Sequence, residues 1–361
     1  MTRIPCIAIA AGLVFAGACA TGVSGPCPSG RCPPSSDGTG DTGGSAGTDS
    51  GASDPGGGTE HAPPCTQVHF APEKIVPSIE LLIDRSGSML HDFHDFPIND
   101  PADPQKFATE QTALLGGHGV VTDLQAAAYF GASMYPGHNC PGLYASAGGR
   151  QRNNKAAIDA LFAAQPPDPE AQTPTAQSID LAVDSFAAQP APAGSPQVIV
   201  LATDGIPNDC YGNGGSAAED ATVAAAANAF AHGIRLYLLA VGIKIDPVFQ
   251  QRLANAGLGI PAGGLDAKAY VATDPASLAA AFGDIIRGVV RCDFQLDHAV
   301  DPEVADTGTV TVNGSDLRRG TDWELDADLR TIHILGGACE ALKATPDAAV
   351  DATFACNDVV Y

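Results

Sequence analysis

The sequence predicts an α/β fold: a doubly wound, mostly parallel sheet followed by a small β-rich extension. Two observations predict it. Between Cys65 and Cys292, short runs that are apolar throughout alternate with stretches of helical periodicity. Strands that are apolar on both faces and separated by helices form parallel sheets covered on each side. After Cys292 the apolar residues recur with period two between turn residues, the mark of half-buried antiparallel strands.

Ile75–Asp84 is the first strand, and Lys106–Leu115 and Val120–Ala128 read as helices. Tyr129–Tyr135 is a strand that ends at Pro136. Asn154–Ala164 is a helix, and so is Pro174–Ala188, with Ile179, Val183 and Phe186 at helical spacing. Gln197–Asp204 (QVIVLATD) is a fully buried strand. Ala217–His232 is an Ala-rich helix closed by Gly233, and Arg235–Gly242 is the next strand. Pro247–Ala256 and Pro275–Val290 are helices that start with proline in the first turn, with the short strand Ala269–Thr273 between them. VTVNGSDL, DWELD, RTIHIL and AVDATFAC are the strands of the extension.

The remaining segments give the organisation 1–19, 20–64, 65–292 and 293–361. In the first, Arg3 precedes a short apolar run from Ile4 to Phe15, the layout of an export signal and too short to span a bilayer. Ala16, Gly17 and Ala18 lead to Cys19, which resembles a bacterial lipobox with Cys19 as the lipidated first mature residue. Ala18-Cys19-Ala20 also fits the cleavage site of an ordinary secreted protein. Residue 20 is not the aspartate that signals inner-membrane retention, so the expected place is the outer membrane, with a periplasmic or secreted protein as the alternative. The second segment is Gly, Ser, Thr, Pro and Asp with almost no large apolar residue, a disordered linker. A flexible coil of about 45 residues reaches roughly 35–40 Å, which suits a tether.

Composition narrows the partners. The net charge of −23 repels nucleic acid phosphates and anionic membrane surfaces, and it favours cations. Of ten cysteines, Cys6 and Cys19 belong to the export segment. An even remainder in an exported chain reads as disulfides, and no C-x-x-C pair suggests a zinc ribbon or a redox site. Cys27 and Cys32 are expected to close a small loop in the linker. Cys339 and Cys356 flank the last strands of the extension and are its expected staple, which a unit of about 70 residues needs.

The chemistry sits where the strands end. Ligands of open α/β sheets bind outside the carboxyl ends of the strands. Asp84 ends the first strand, and Ser86 and Ser88 follow at alternate positions in a glycine-containing loop. Asp204 ends QVIVLATD, and Thr173 stands just before a helix. Three loops thus bring hydroxyl and carboxylate oxygens to one edge, a hard donor set for Mg²⁺, Mn²⁺ or Ca²⁺.

D-x-S-x-S at Asp84, Ser86 and Ser88, a threonine at the start of a mid-chain helix, and T-D-G after an apolar strand resemble the von Willebrand factor type A family and its metal-ion-dependent adhesion site. The resemblance covers about Cys65 to Cys292 and implies a Rossmann-like sheet. It implies that Ser86, Ser88 and Thr173 touch a divalent cation, Mg²⁺ foremost, while Asp84 and Asp204 hold it through water. Thr175 is the other threonine of TPT; the family pattern takes the first. It also implies that a carboxylate of a protein or surface ligand completes the coordination, so the chain is expected to be a binding protein with no catalytic residue and no small-molecule substrate. FGASMYPGHNC, TDGIPNDC and the Cys-closed tail look like those of exported bacterial lipoproteins with this domain. On that resemblance Cys140 is expected to pair with Cys210 on the upper rim. Cys65 is expected to pair with Cys292, restraining the last helix and making the binder constitutive.

Other chemistries fit less well. An aspartic protease needs D-[ST]-G, and Arg85-Ser86 stand in the way. A haloacid-type phosphatase needs a second acid at Ser86. No G-x-S-x-G elbow is present. HDFHDF offers His91, Asp92, His94 and Asp95, but H-x-x-H lacks the spacing of H-E-x-x-H, so a polar loop is expected there, with Phe93 and Phe96 packed onto the domain. Asn208 and Asp209 either tune the site or form a turn after Pro207. The alternatives to adhesion are an envelope scaffold stabilised by the metal and, more remotely, a metal-dependent hydrolase.

Overall fold

The computed structural model describes residues 68–70, 73–100, 102–301, 307–345, 348–354 and 359–360. The export segment, the linker, Cys19, the Cys27–Cys32 pair, Cys65 and Cys356 lie outside the described residues. Two short strands come first, β1 (Val68–Phe70) and β2 (Glu73–Lys74). The central sheet holds β3 (Ser78–Asp84), β4 (Tyr129–Tyr135), β5 (Tyr144–Ala145), β6 (Gln197–Thr203), β7 (Ile234–Val241) and β8 (Tyr270–Ala272). Their order is β5-β4-β3-β6-β7-β8, parallel throughout except for β5. The α/β expectation is met.

Seven helices join these strands: α1 (Lys106–Leu115), α2 (Val120–Leu124), α3 (Lys155–Ala164), α4 (Thr175–Ala188), α5 (Ser216–Ala231), α6 (Pro247–Gly257) and α7 (Pro275–Val289). They cover both faces. Phe107, Leu114, Ile158, Phe162, Leu278 and Phe282 pack with Ile79, Leu81 and Ile83 on one side. Ile179, Phe186, Ala226, Phe249 and Leu253 pack with Leu82, Ile199 and Leu201 on the other. Every residue of β3 is buried, which is why its sequence shows no alternation. Asp246 and Asp274 cap α6 and α7 by accepting two backbone N–H bonds each, at 2.9–3.1 Å.

The C-terminal part comprises β9 (Asp293–Gln295), β10 (Ala299–Val300), β11 (Thr309–Val312), β12 (Ser315–Leu317), β13 (Trp323–Leu325), β14 (Thr331–Ile334), α8 (Gly336–Ala344), β15 (Val350–Phe354) and β16 (Val359–Val360). It forms two four-stranded sheets, β1-β15-β11-β12 and β13-β14-β9-β2, plus a β10-β16 ladder. Both N-terminal strands therefore hydrogen-bond to the C-terminal strands rather than to the central sheet. Trp323 and Phe354 meet edge to face at 6.4 Å within this second core.

Two disulfides are present among the described residues. Cys140–Cys210 forms as expected, with Cα atoms 5.4 Å apart. Cys292 bonds Cys339, Cα atoms 5.6 Å apart. This corrects both the Cys65–Cys292 and the Cys339–Cys356 expectations. The cause is the strand pairing: β9 lies against β14, Ile334 donates its N–H to the Cys292 carbonyl at 2.9 Å, and α8 then carries Cys339 back over Cys292. The end of α7 is thus tied to the tail, where Lys343 also donates to the Arg287 carbonyl.

Candidate metal centre

After β3 the chain goes to β4 on one side; it later crosses to β6 on the other. The carboxyl ends of β3 and β6 flank this switch point, where a crevice opens in such sheets. Asp84 closes β3 there, and Asp204 follows β6. Both are fully buried. The structure brings all five expected residues to this crevice.

The contacts tie them together. Asp84 Oδ1 accepts the Ser86 N–H at 2.7 Å, and Oδ2 accepts the Thr203 hydroxyl at 2.5 Å. Ser86 and Ser88 hydroxyls lie 3.2 Å apart, and Ser88 donates to Asp204 Oδ1 at 2.7 Å. A Cβ built on Gly205, the residue after Asp204, would stand 3.3 Å from Thr173 Oγ1 and 3.6 Å from Asp84 Oδ2, so Thr173 and Asp84 both lie against this glycine. The Thr175 hydroxyl, by contrast, turns back to the Thr173 carbonyl.

Local sequence explains the placement. Gly87 passes so close to Pro169 that a Cβ there would lie 2.6 Å from its carbonyl oxygen. Arg85 donates to the carbonyls of Pro136 and Pro166 and clamps the loop between them. Asn208 accepts the Thr173 N–H at 2.7 Å and returns its own N–H to the Thr173 carbonyl at 3.0 Å. Its role is thus to hold the threonine loop. Asp209 makes the turn, accepting from Tyr211 and Asn213.

Two residues not singled out in the sequence border the site, both on α1. Lys106 is 1% exposed; its ammonium pairs with Asp204 Oδ2 and donates to Asp95 Oδ1 at 3.1 Å. One turn on, Glu110 is fully buried, and neither carboxyl oxygen has a hydrogen-bond partner. Burial, then the charges of Asp84 and Asp204, hold its carboxyl well above the usual range. Burial and then the Asp204 charge likewise push Asp84 up to about 7, against hydrogen bonds from Thr203 and Ser86. Three buried carboxyl groups thus influence one another here, and the Lys106 ammonium pairs with only one of them, Asp204. This set lacks positive charge, and its hydroxyls are hard donors, so the residues fit a divalent cation.

The HDFHDF loop is structural. Asp92 accepts the N–H groups of His94 and Phe96, Phe93 is buried, and His91 Nδ1 lies 3.2 Å from Asp95. Phe96 is exposed, against the expectation that it packs. Burial alone raises the Asp95 carboxyl; bonds to Lys244, Lys106 and His91 outweigh it and hold the group below its usual range. No group of three or more His, Cys, Asp or Glu suited to a metal occurs among the described residues, so the zinc reading of this loop gains no support.

No family model matches the chain, and no curated protein matches it. Several solved structures do. The PilB minor pilin from Streptococcus sanguinis matches at 16% identity and a TM-score of 0.47, over 60% of this chain and 62% of the pilin. The manganese-loaded TRAP protein of Plasmodium vivax matches at 15% and 0.36, over 60% and 76%. Proximal thread matrix protein 1 from the mussel byssus, with a zinc-occupied MIDAS motif, matches at 12% and 0.38, over 63% and 50%. The chain spans less than two thirds of the pilin, and likenesses this distant carry no inference about what this chain binds.

Proposed function

We propose that this chain is an exported, lipid-anchored cell-envelope protein that binds a divalent cation at the rim of its sheet and, through it, an acidic group on a protein or surface ligand. The observation that carries the reading is the division of labour among the oxygens. Asp84 and Asp204 each have both carboxyl oxygens engaged by neighbouring groups, whereas the hydroxyls of Ser86, Ser88 and Thr173 converge on the crevice between them. Ser86, Ser88 and Thr173 would hold the ion, and Asp84 and Asp204 would fix those hydroxyls and neutralise part of its charge. Mg²⁺, with Mn²⁺ or Ca²⁺ as alternatives, supplies a positive charge able to accept a partner's carboxylate.

The surrounding surface supports a binding face. Five of the eight exposed large apolar side chains among the described residues, Phe96, Ile206, Tyr211, Ile243 and Val248, stand where the chain leaves the carboxyl ends of β3, β6 and β7. Exposed apolar groups in the loops at the same sheet edge as a charged centre suit a protein partner. The outer membrane is the proposed location, with Cys19 as the anchor. No described helix is long and apolar enough to cross a membrane.

The test is retention of proteins from a cell-envelope extract by the full chain, with Mg²⁺ or with EDTA, beside an Asp84→Ala variant. Proteins held only by the unaltered chain and only with Mg²⁺ are expected. The same proteins in every lane, or none, would replace adhesion with a scaffold role in which the ion only stabilises the domain.

A further inference from the structure

Lys106 is an unusual neighbour for a cation site. It opens α1, and its N–H is fixed to the His91 carbonyl at 3.0 Å. Its side chain runs inward beneath the rim. Gly242, in the left-handed region at φ 89°, passes beside it: a Cβ there would lie 3.1 Å from the Phe93 carbonyl oxygen and in ordinary contact with Lys106, 3.8 Å from Nζ. The ammonium is buried between two carboxylates. It takes Asp204 Oδ2, while Ser88 takes Oδ1, and it is shared with Asp95. A continuous chain of contacts runs Asp95–Lys106–Asp204–Ser88–Ser86. A buried ion pair adds little net stability over apolar residues in its place, because desolvation offsets most of the attraction, although removing one partner alone strands the other's charge. Its position points to the centre itself.

We propose that Lys106 is a tethered counter-cation of the metal centre, which shares Asp204 with the divalent ion and lowers the affinity for it. The inference rests on the cation reading of the rim. A fixed positive charge one carboxylate away from the ion repels it in a poorly solvated site. The same charge keeps Asp204 turned toward Ser88. Asp95 moderates the effect by drawing the ammonium toward the outer loop, and Lys244 and His91 in turn bind Asp95. The centre is thereby set for an ion that exchanges rather than one that is permanently held.

The experiment is calorimetric titration of the full chain with MnCl₂, for wild type, Lys106→Met and Asp95→Asn, alongside thermal unfolding of each in EDTA and in Mn²⁺. Lys106→Met is expected to bind about tenfold tighter, to be less stable than wild type in EDTA, and to gain more from Mn²⁺. Asp95→Asn is expected to bind at least about threefold more weakly. General damage to packing would weaken both; a charge effect moves them in opposite directions. Equal or weaker binding by folded Lys106→Met overturns the proposal. Should Lys106→Met not fold, Asp95→Asn decides: weaker binding with unfolding in EDTA like wild type supports the proposal, while unchanged affinity, or weaker binding with a lowered melting temperature in EDTA, overturns it. Saturable binding by wild type with unmoved variants sinks Lys106 alone, whereas no binding by any of the three sinks the metal reading too.

Discussion

At the residue scale the site divides into positions that a linear motif exposes and positions that only packing creates. Asp84, Ser86 and Ser88 are legible because their spacing is local, and Thr173 and Asp204 because each sits at the edge of a recognisable element. Lys106 and Glu110 are not, since nothing in a helix announces which tertiary neighbour it meets. A signal was nevertheless there: a lysine and a glutamate four residues apart on the face that also carries Leu114. Glu110 yields a prediction with a definite sign. Its folded-state carboxyl titrates well above 4.5, so the unfolded chain loses this proton first and stability drains as pH rises above about 4.5. Glu110→Gln removes that loss. In EDTA, denaturant unfolding should show the variant close to wild type near about pH 4.5 and more stable near about pH 8. An offset that does not change with pH would contradict the assignment.

At the element scale the strands and most helices are readable because they are apolar throughout or clearly periodic. Their ends shift by a residue or a few: Ile75–Asp84 narrows to Ser78–Asp84, and Val120–Ala128 to Val120–Leu124. The misses share a cause. Strand β1 is three residues long, β2 and β5 two each, too short for any period, and the partners of β1 and β2 lie at the far end of the chain. Helix α8 begins Gly336-Gly337 and contains a cysteine, which reads as loop between strands. The disulfide error follows from these misses, because without the β9–β14 pairing nothing brings Cys292 to Cys339. Helix α7 carries a capping box in which Asp274 and Ser277 satisfy each other's backbone N–H groups. Asp274→Ala should lower the urea midpoint of unfolding, because two backbone N–H groups lose their acceptor. Unchanged stability would show that the start of α7 is held by packing alone.

At the scale of the whole molecule, the chain's net charge of −23 and the uneven distribution of its exposed apolar groups belong to one account. An acidic protein repels acidic partners at long range and so needs a local positive charge to bind one. The crevice between β3 and β6 is where the fold gathers hydroxyls and buried carboxyl groups, and exposed apolar side chains follow the same ends of β3, β6 and β7 in the chain. Cys140–Cys210 braces two of the loops beside it, and Cys292–Cys339 ties the end of α7 to the tail. The central claim is that this crevice is a divalent-cation centre built on hydroxyl donors. The most direct test is electron paramagnetic resonance of Mn²⁺ titrated into the full chain, comparing wild type with the double variant Ser86→Ala and Ser88→Ala. The account predicts that wild type depletes the free-ion signal until a single site saturates, and that Mg²⁺ restores it. The folded double variant should leave the signal almost untouched. Equal depletion by both proteins, or none by wild type, would contradict it.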